Sequence, residues 1–262
     1  MTLLMVLRIF RFFPYDCSLL GKIPLWMSKL AKLDMFILSG NQLAGSTPAW
    51  IKNLKHLFYL DISNNSHTGE IRTDLADMQM LQSEKTKASL DPRVFKLPVY
   101  KGLSLQYRIP IAFAGVLDLS SNKIACQILR EIARLKFLCS LNLSFNDLTG
   151  HIPISVCNLT NLQVLDFLNN NLTGAIPAAL NSPHFLSAFN SSNNDLEGPI
   201  PSRGQFNTFQ NSSFDGNPKL CGSMLTHKCG PASTRPPTKP LWQPNKLTTR
   251  PPSRLPSPHS LV

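Results

Sequence analysis

Cys221 and Cys229 bracket His227, and this trio is one place where the chain offers ligand chemistry. Two thiolates and an imidazole could hold a metal, but a closed zinc site needs four donors and no second ligand pair accompanies them. The same two thiols could instead join as a disulfide. Asp118 and Asp166 recur at a regular spacing, with Asn142 between them and Asn190 beyond. Carboxylates lined up in this way could serve acid–base or glycosidic chemistry, which needs two carboxyl groups close together, and no adjacent pair is visible. Phosphoryl transfer fails on parts, because the glycine-rich loop, the strand lysine and the H-R-D and D-F-G elements of a kinase are all missing. Six N-x-[ST] sequons, at Asn64, Asn142, Asn158, Asn171, Asn190 and Asn211, are acceptors for N-linked sugar and point to an oxidising compartment. No catalytic, metal-ligating or cofactor-binding residue is expected.

Composition agrees with a noncatalytic scaffold. The 262 residues are 43% hydrophobic and 16% charged, with 21 Pro and 13 Gly. A net charge of +11 overstates the body, since five of the cations (Arg235, Lys239, Lys246, Arg250, Arg254) lie in residues 230–262 without one acid. The remaining excess has no basic helical stripe, so a nucleic-acid partner is not expected. No stretch approaches the roughly 18 uninterrupted apolar residues of a membrane-spanning helix. Leu3 to Leu7 is apolar but lacks a basic leader and a small-residue cleavage site, so a signal peptide is not expected.

The elements that would position these residues follow from a repeat. Asparagines fall at 41, 65, 122, 146, 170 and 194, in steps of 24, 57, 24, 24 and 24; the long step exceeds the period by 33 residues. Around each Asn the frame reads L-x-x-L-x-L-x-x-N-x-L-x-G-x-I-P, most completely from Leu138 to Pro153, and Leu19, Gly21 and Pro24 form a degenerate earlier copy. The L-x-L pair alternates with period two, so Leu141 and Leu143 point inward and Asn142 outward from a short parallel strand. The frame Asn is expected to be buried in the following turn, satisfying backbone groups that no sheet ladder reaches. Gly150, Gly174 and Gly198 suit positive φ, and Pro153, Pro177 and Pro201 fix the extended return. One coil cannot bury its own apolar face, so stability comes from stacking.

This frame resembles the plant-type leucine-rich repeat of receptor-like kinases and receptor-like proteins, over roughly residues 17–229. The resemblance implies an α/β solenoid with a parallel sheet on its concave face. Departures stand at Cys17 for Asn, His67 for Leu, Arg72 and Leu129 for Pro, and Cys126 for Gly. The resulting division is a degenerate N-terminal repeat (1–24), repeats (25–81), an insertion (82–114), four repeats (115–203), a cap (204–229) and a Pro-rich basic tail (230–262), which with nine Pro reads as disordered.

The insertion narrows the resemblance. Placed four repeats before the end and carrying L-P-x-[FY] and L-Q-Y, it is similar to the island domain of phytosulfokine receptors and related tyrosine-sulfated peptide receptors. That similarity implies that Val99-Tyr100-Lys101 pairs with an extended peptide by β-addition and that Lys101 meets a sulfate, with Tyr107 adding apolar contact. The stretch from Gly204 to Cys229 is similar to the cap of such ectodomains, which implies a Cys221–Cys229 disulfide laid over the last apolar edge.

The expected function is an extracellular recognition module, truncated before the membrane helix and kinase, that binds a small and possibly sulfated peptide or a leucine-rich-repeat co-receptor. Phe58, Tyr59 and Asp61 are expected on the outward face of one strand just before the insertion. Asp118, Asn142, Asp166 and Asn190 continue an outward column, which either recognises a peptide or only solvates the sheet. A secreted decoy that binds a protein partner, or a fragment without function, is the alternative. An enzyme on a β-solenoid is the least favoured reading.

Overall fold

The computed structural model describes residues 18–82, 115–181 and 186–229. Strands β2 (Met35–Ile37), β4 (Tyr59–Asp61), β6 (Gly115–Asp118), β8 (Leu138–Asn142), β10 (Val164–Asp166) and β12 (Ala188–Asn190) form one six-stranded sheet, every pair parallel. The register stacks like on like: Phe36, Leu60, Leu117, Leu141, Leu165 and Phe189 form one inward row across the sheet. All six are at most 4% exposed. Burying each contributes about 2 kcal/mol, and the gain is realised only when the neighbouring coil is in place.

After each strand the chain turns and forms a second ribbon. Its members are β1 (Leu20–Gly21), β3 (Gln42–Gly45), β5 (Ser66–Gly69) and β7 (Lys123–Ile124) in one group, and β9 (Thr149–His151), β11 (Asn171–Gly174), β13 (Asp195–Pro199) and β14 (Lys219–Cys221) in the other. An isolated bridge between Gln127 and Thr149, with the Asp147 N–H donating to the Ile124 carbonyl and the Thr149 N–H to that of Cys126, joins the groups. The break falls where Cys126 replaces glycine. Gly45, Gly69, Gly150 and Gly174 hold φ between 74° and 85°, whereas Cys126 is not among the positive-φ residues and β7 ends at Ile124. A side chain with Cβ disfavours that conformation, so the ribbon loses its regular course there. Cys126 is reused instead, its sulfur accepting the Ile71 N–H at 3.3 Å.

The far side of the coils consists of single helical turns entered from an extended residue. Pro48 and Pro153 hold φ/ψ of −73°/136° and −69°/135°, and Arg72 and Leu129 adopt −77°/145° and −65°/134°. The two proline departures therefore keep the proline conformation. Arg72 also gains an ion pair with Asp74 at 3.0 Å, which Lys52 meets from the preceding coil at 2.7 Å.

The turn asparagines carry the solenoid. Asn146 Oδ1 accepts the Ile124 N–H of the previous coil, while its Nδ2 donates to the carbonyls of Leu119, Leu143 and Ser144. The same pattern repeats at Asn65, Asn170 and Asn194. It crosses the insertion as well, since Asn122 accepts from His67 N–H and donates to the Ile62 carbonyl. Asn217 adds a rung beyond the frame, accepting from Leu196 N–H and donating to the Ser191 carbonyl.

The C-terminal end is closed by aromatics. Phe206, Phe209 and Phe214 pack on Phe189 with ring centroids 5.0, 5.8 and 5.8 Å away. β14 pairs with β13, and Cys221 is disulfide-bonded to Cys229 with Cα atoms 4.9 Å apart.

Candidate recognition surface

On the concave side, one row in strict register runs Ile37, Asp61, Asp118, Asn142, Asp166, Asn190. Asp61 and Asp118 are thus neighbours on adjacent strands, which corrects the expectation of no adjacent carboxylate pair. The 33 extra residues conceal in the sequence what the register restores in space. Burial pushes the Asp118 carboxyl up to about 6, and the negative charge of Asp61 adds to the effect. Hydrogen bonds from Ser120 and from Asn142 Nδ2 at 3.2 Å oppose it. Burial likewise raises Asp166, against the Leu168 N–H.

Each polar member of the row also closes its own turn. Asp61 accepts from the Ser63 N–H and hydroxyl, Asp118 from those of Ser120, Asn142 from those of Ser144 and Asn190 from those of Ser192, all at 2.6–3.1 Å. These are Asx-turns that steer the chain out of the strand. Half-buried and structurally engaged, the row leaves the remaining lone pairs and amide protons facing the concave side.

Two expected contacts are corrected. Phe58 is 4% exposed and belongs to the hydrophobic core, because alternation places it on the same inward face as Leu60 and Ile62. Tyr59 does share the outward side with Asp61, but it lies in register between Met35 and Val116 and is 8% exposed. Neither is the exposed aromatic the sequence suggested. An aromatic overlooked there does stand out: Phe145 is 48% exposed and holds φ of 52°, at the turn position that Asn64, Ser121, Asn169 and Asn193 fill in other coils. Its signal was the bulky Phe in a column of small polar residues.

The insertion is rooted in the sheet. Leu81 closes a helical turn before it, Gly115 opens β6 after it, and a Cβ on Gly115 would collide with Leu81 Cδ2 and the Phe137 carbonyl. Val99, Tyr100, Lys101 and Tyr107 lie outside the described residues. Among the sequons, Asn64, Asn158, Asn171 and Asn211 are exposed, while Asn142 and Asn190 are half-buried and bonded to their own sequon serines. No group of three or more His, Cys, Asp and Glu among the described residues is placed to hold a metal ion.

A leucine-rich-repeat family model matches residues 137–159 and 161–182. A comparison with curated protein sequences finds no match. Among solved structures, the chain is similar to the ectodomain of the Arabidopsis receptor kinase HAESA in complex with an N-terminally extended IDA peptide hormone ligand: 28% identity, TM-score 0.61, covering 82% of this chain and 30% of that one. It is similar to the ectodomain of Arabidopsis GASSHO1/SCHENGEN3 in complex with CASPARIAN STRIP INTEGRITY FACTOR 2: 27% identity, TM-score 0.55, covering 80% and 24%. It is also similar to the plant peptide hormone receptor RGFR1 in complex with RGF2: 25% identity, TM-score 0.56, covering 78% and 27%. The chain thus spans less than a third of the length of these ectodomains. Its fold is the leucine-rich-repeat solenoid, and these three structures are of plant receptors.

Proposed function

We propose that this chain is a noncatalytic recognition module that binds a small extracellular peptide, or a leucine-rich-repeat co-receptor, through the concave sheet and the insertion that interrupts the repeats. The supporting observation is the rigid row Asp61, Asp118, Asn142, Asp166, Asn190, a series of hydrogen-bonding groups held at strand spacing beside the insertion roots Leu81 and Gly115. Similarity to ectodomains solved with peptide hormones supports the same reading. An extended peptide laid across such a sheet meets preorganised groups and loses little to reorganisation.

The finer proposal is a phytosulfokine-type receptor segment in which Val99-Tyr100-Lys101 adds a strand to the peptide, Lys101 meets a sulfate and Tyr107 gives apolar contact. Asp61 lies on β4, the strand of the six-stranded sheet that precedes the insertion in the chain. The module acts outside the cell or at its surface, with N-glycans at the exposed sequons Asn64, Asn158, Asn171 and Asn211. Calorimetric titration of the chain and of Lys101→Ala with a short tyrosine-sulfated peptide and its unsulfated form tests it. Tighter binding of the sulfated form, lost in Lys101→Ala, is expected; equal affinity in all four combinations rejects sulfate recognition.

A further inference from the structure

One frame position of the second ribbon is filled by Leu43, His67, Ile124, Leu148, Leu172, Leu196 and Leu220 in successive coils, and every one of them is buried. His67 puts a titratable ring, 1% exposed, where the others put an aliphatic chain. Its Nδ1 lies 3.1 Å from the Gly45 carbonyl of β3. A carbonyl only accepts, so Nδ1 carries the proton of the neutral ring and Nε2 is bare. Nε2 is buried and has no hydrogen-bond partner among the described residues. Protonation would therefore place a second N–H and a full charge where nothing receives them, which costs far more than burying the neutral ring.

Among the described residues the surroundings supply no compensating anion. β3 contributes Gln42–Gly45, which is uncharged. β7 contributes Lys123, exposed and in register with Thr68, while Glu70 follows β5 and is exposed. Burial lowers the ring's pKa below its ordinary 6.5, and only the Gly45 carbonyl works against it.

We propose that His67 is an acid-sensitive latch: protonating it loosens the coil of residues 62–82, whose far end roots the insertion, ahead of the coils that follow. The sign follows from linkage. A ring kept neutral in the folded state contributes stability that is complete above the ordinary histidine value of 6.5 and is lost as pH falls below it, toward the lower folded value. The effect is local because stability in a solenoid is a sum of coil and interface contributions. It does not depend on which ligand the concave face takes.

Hydrogen exchange of the full chain at about pH 5 and about pH 7.5, corrected for intrinsic rates, tests this against His67→Leu, which restores the frame residue, and His67→Gln, which keeps a neutral donor. Peptides covering residues 62–82 of the wild type should lose protection at the lower pH, by at most about tenfold per pH unit below 6.5, while residues 138–176 hold theirs. Either variant, if folded, should keep protection at both values. The same local loss in a folded variant overturns the proposal. A loss spread evenly over all coils of the wild type overturns it too, whether or not the variants fold.

Discussion

The N–H of Phe137 donates to the carbonyl of Leu81 at 2.8 Å, joining the coil before the insertion to the coil after it. Leu81 is 1% exposed, so the insertion leaves from a residue that is fully part of the solenoid. Removing residues 82–114, which restores the 24-residue period, should therefore leave the coil stack intact. Circular dichroism should be unchanged and the melting midpoint should move by only a few degrees, since loop-closure cost varies slowly with length. Leu81→Ala should instead cost about 2–4 kcal/mol in urea unfolding, because it opens a cavity at that root.

Asn146→Ala should destabilise the chain by about 3 kcal/mol, measured by urea unfolding. The substitution removes one acceptor and three donor contacts: the buried Ile124 N–H loses its acceptor, while the carbonyls of Leu119, Leu143 and Ser144 each keep one other donor, from Asn122 Nδ2, Asn170 Nδ2 and the Ser121 N–H. Asn217→Ala should act in the same direction, because its contacts to Leu196 and Ser191 are of the same kind.

The contrast between those two asparagines shows what the sequence discloses. Asn146 is legible because it recurs every 24 residues with leucines at fixed offsets. Asn217 follows Asn194 by 23 and sits in a cap where Lys219–Cys221 replaces the leucine frame, so its rung emerges only from the hydrogen bonds. The Asp61–Asp118 neighbourhood is hidden for a different reason: strand register, not chain distance, sets which residues meet. Phe58 was legible in principle, since period-two alternation from Leu60 sends it inward. Burial of Tyr59 was not, because it depends on the bulk of Met35 and Val116 on the flanking strands.

Asp118→Asn should stabilise the protein at neutral pH, by up to about 3 kcal/mol. The wild-type carboxyl titrates near 6 in the fold against an ordinary 3.8, so the folded state holds its proton more tightly. Stability from this group is present below pH about 4 and is lost as pH rises through about 6. The asparagine keeps the acceptor for Ser120, as Asn142 and Asn190 do for their serines. Between pH 4 and 8 the stability of the variant relative to the wild type should rise with pH, most steeply between about 4 and 6.

Phe145→Asn should raise stability by about 1 kcal/mol, by placing at φ 52° a residue type that tolerates it, as Asn169 and Asn193 already do. Thermal unfolding reads the gain. Unchanged or lower stability would show that the exposed ring makes contacts that offset the backbone strain.

Reducing the Cys221–Cys229 disulfide, or Cys221→Ser, should destabilise the last coil by about 2 kcal/mol, as expected for so small a loop. The Phe189, Phe206, Phe209 and Phe214 cluster should keep the cap seated, so the loss should show as faster exchange in residues 217–229 rather than global unfolding.

The most direct test of the recognition account is hydrogen exchange of the chain with and without a saturating tyrosine-sulfated peptide. The account predicts new protection at residues 99–101 and in β4, β6 and β8, with the convex turns Ala49–Asn53 and Ile154–Asn158 unchanged. Protection confined to the convex turns, or none anywhere, would contradict it.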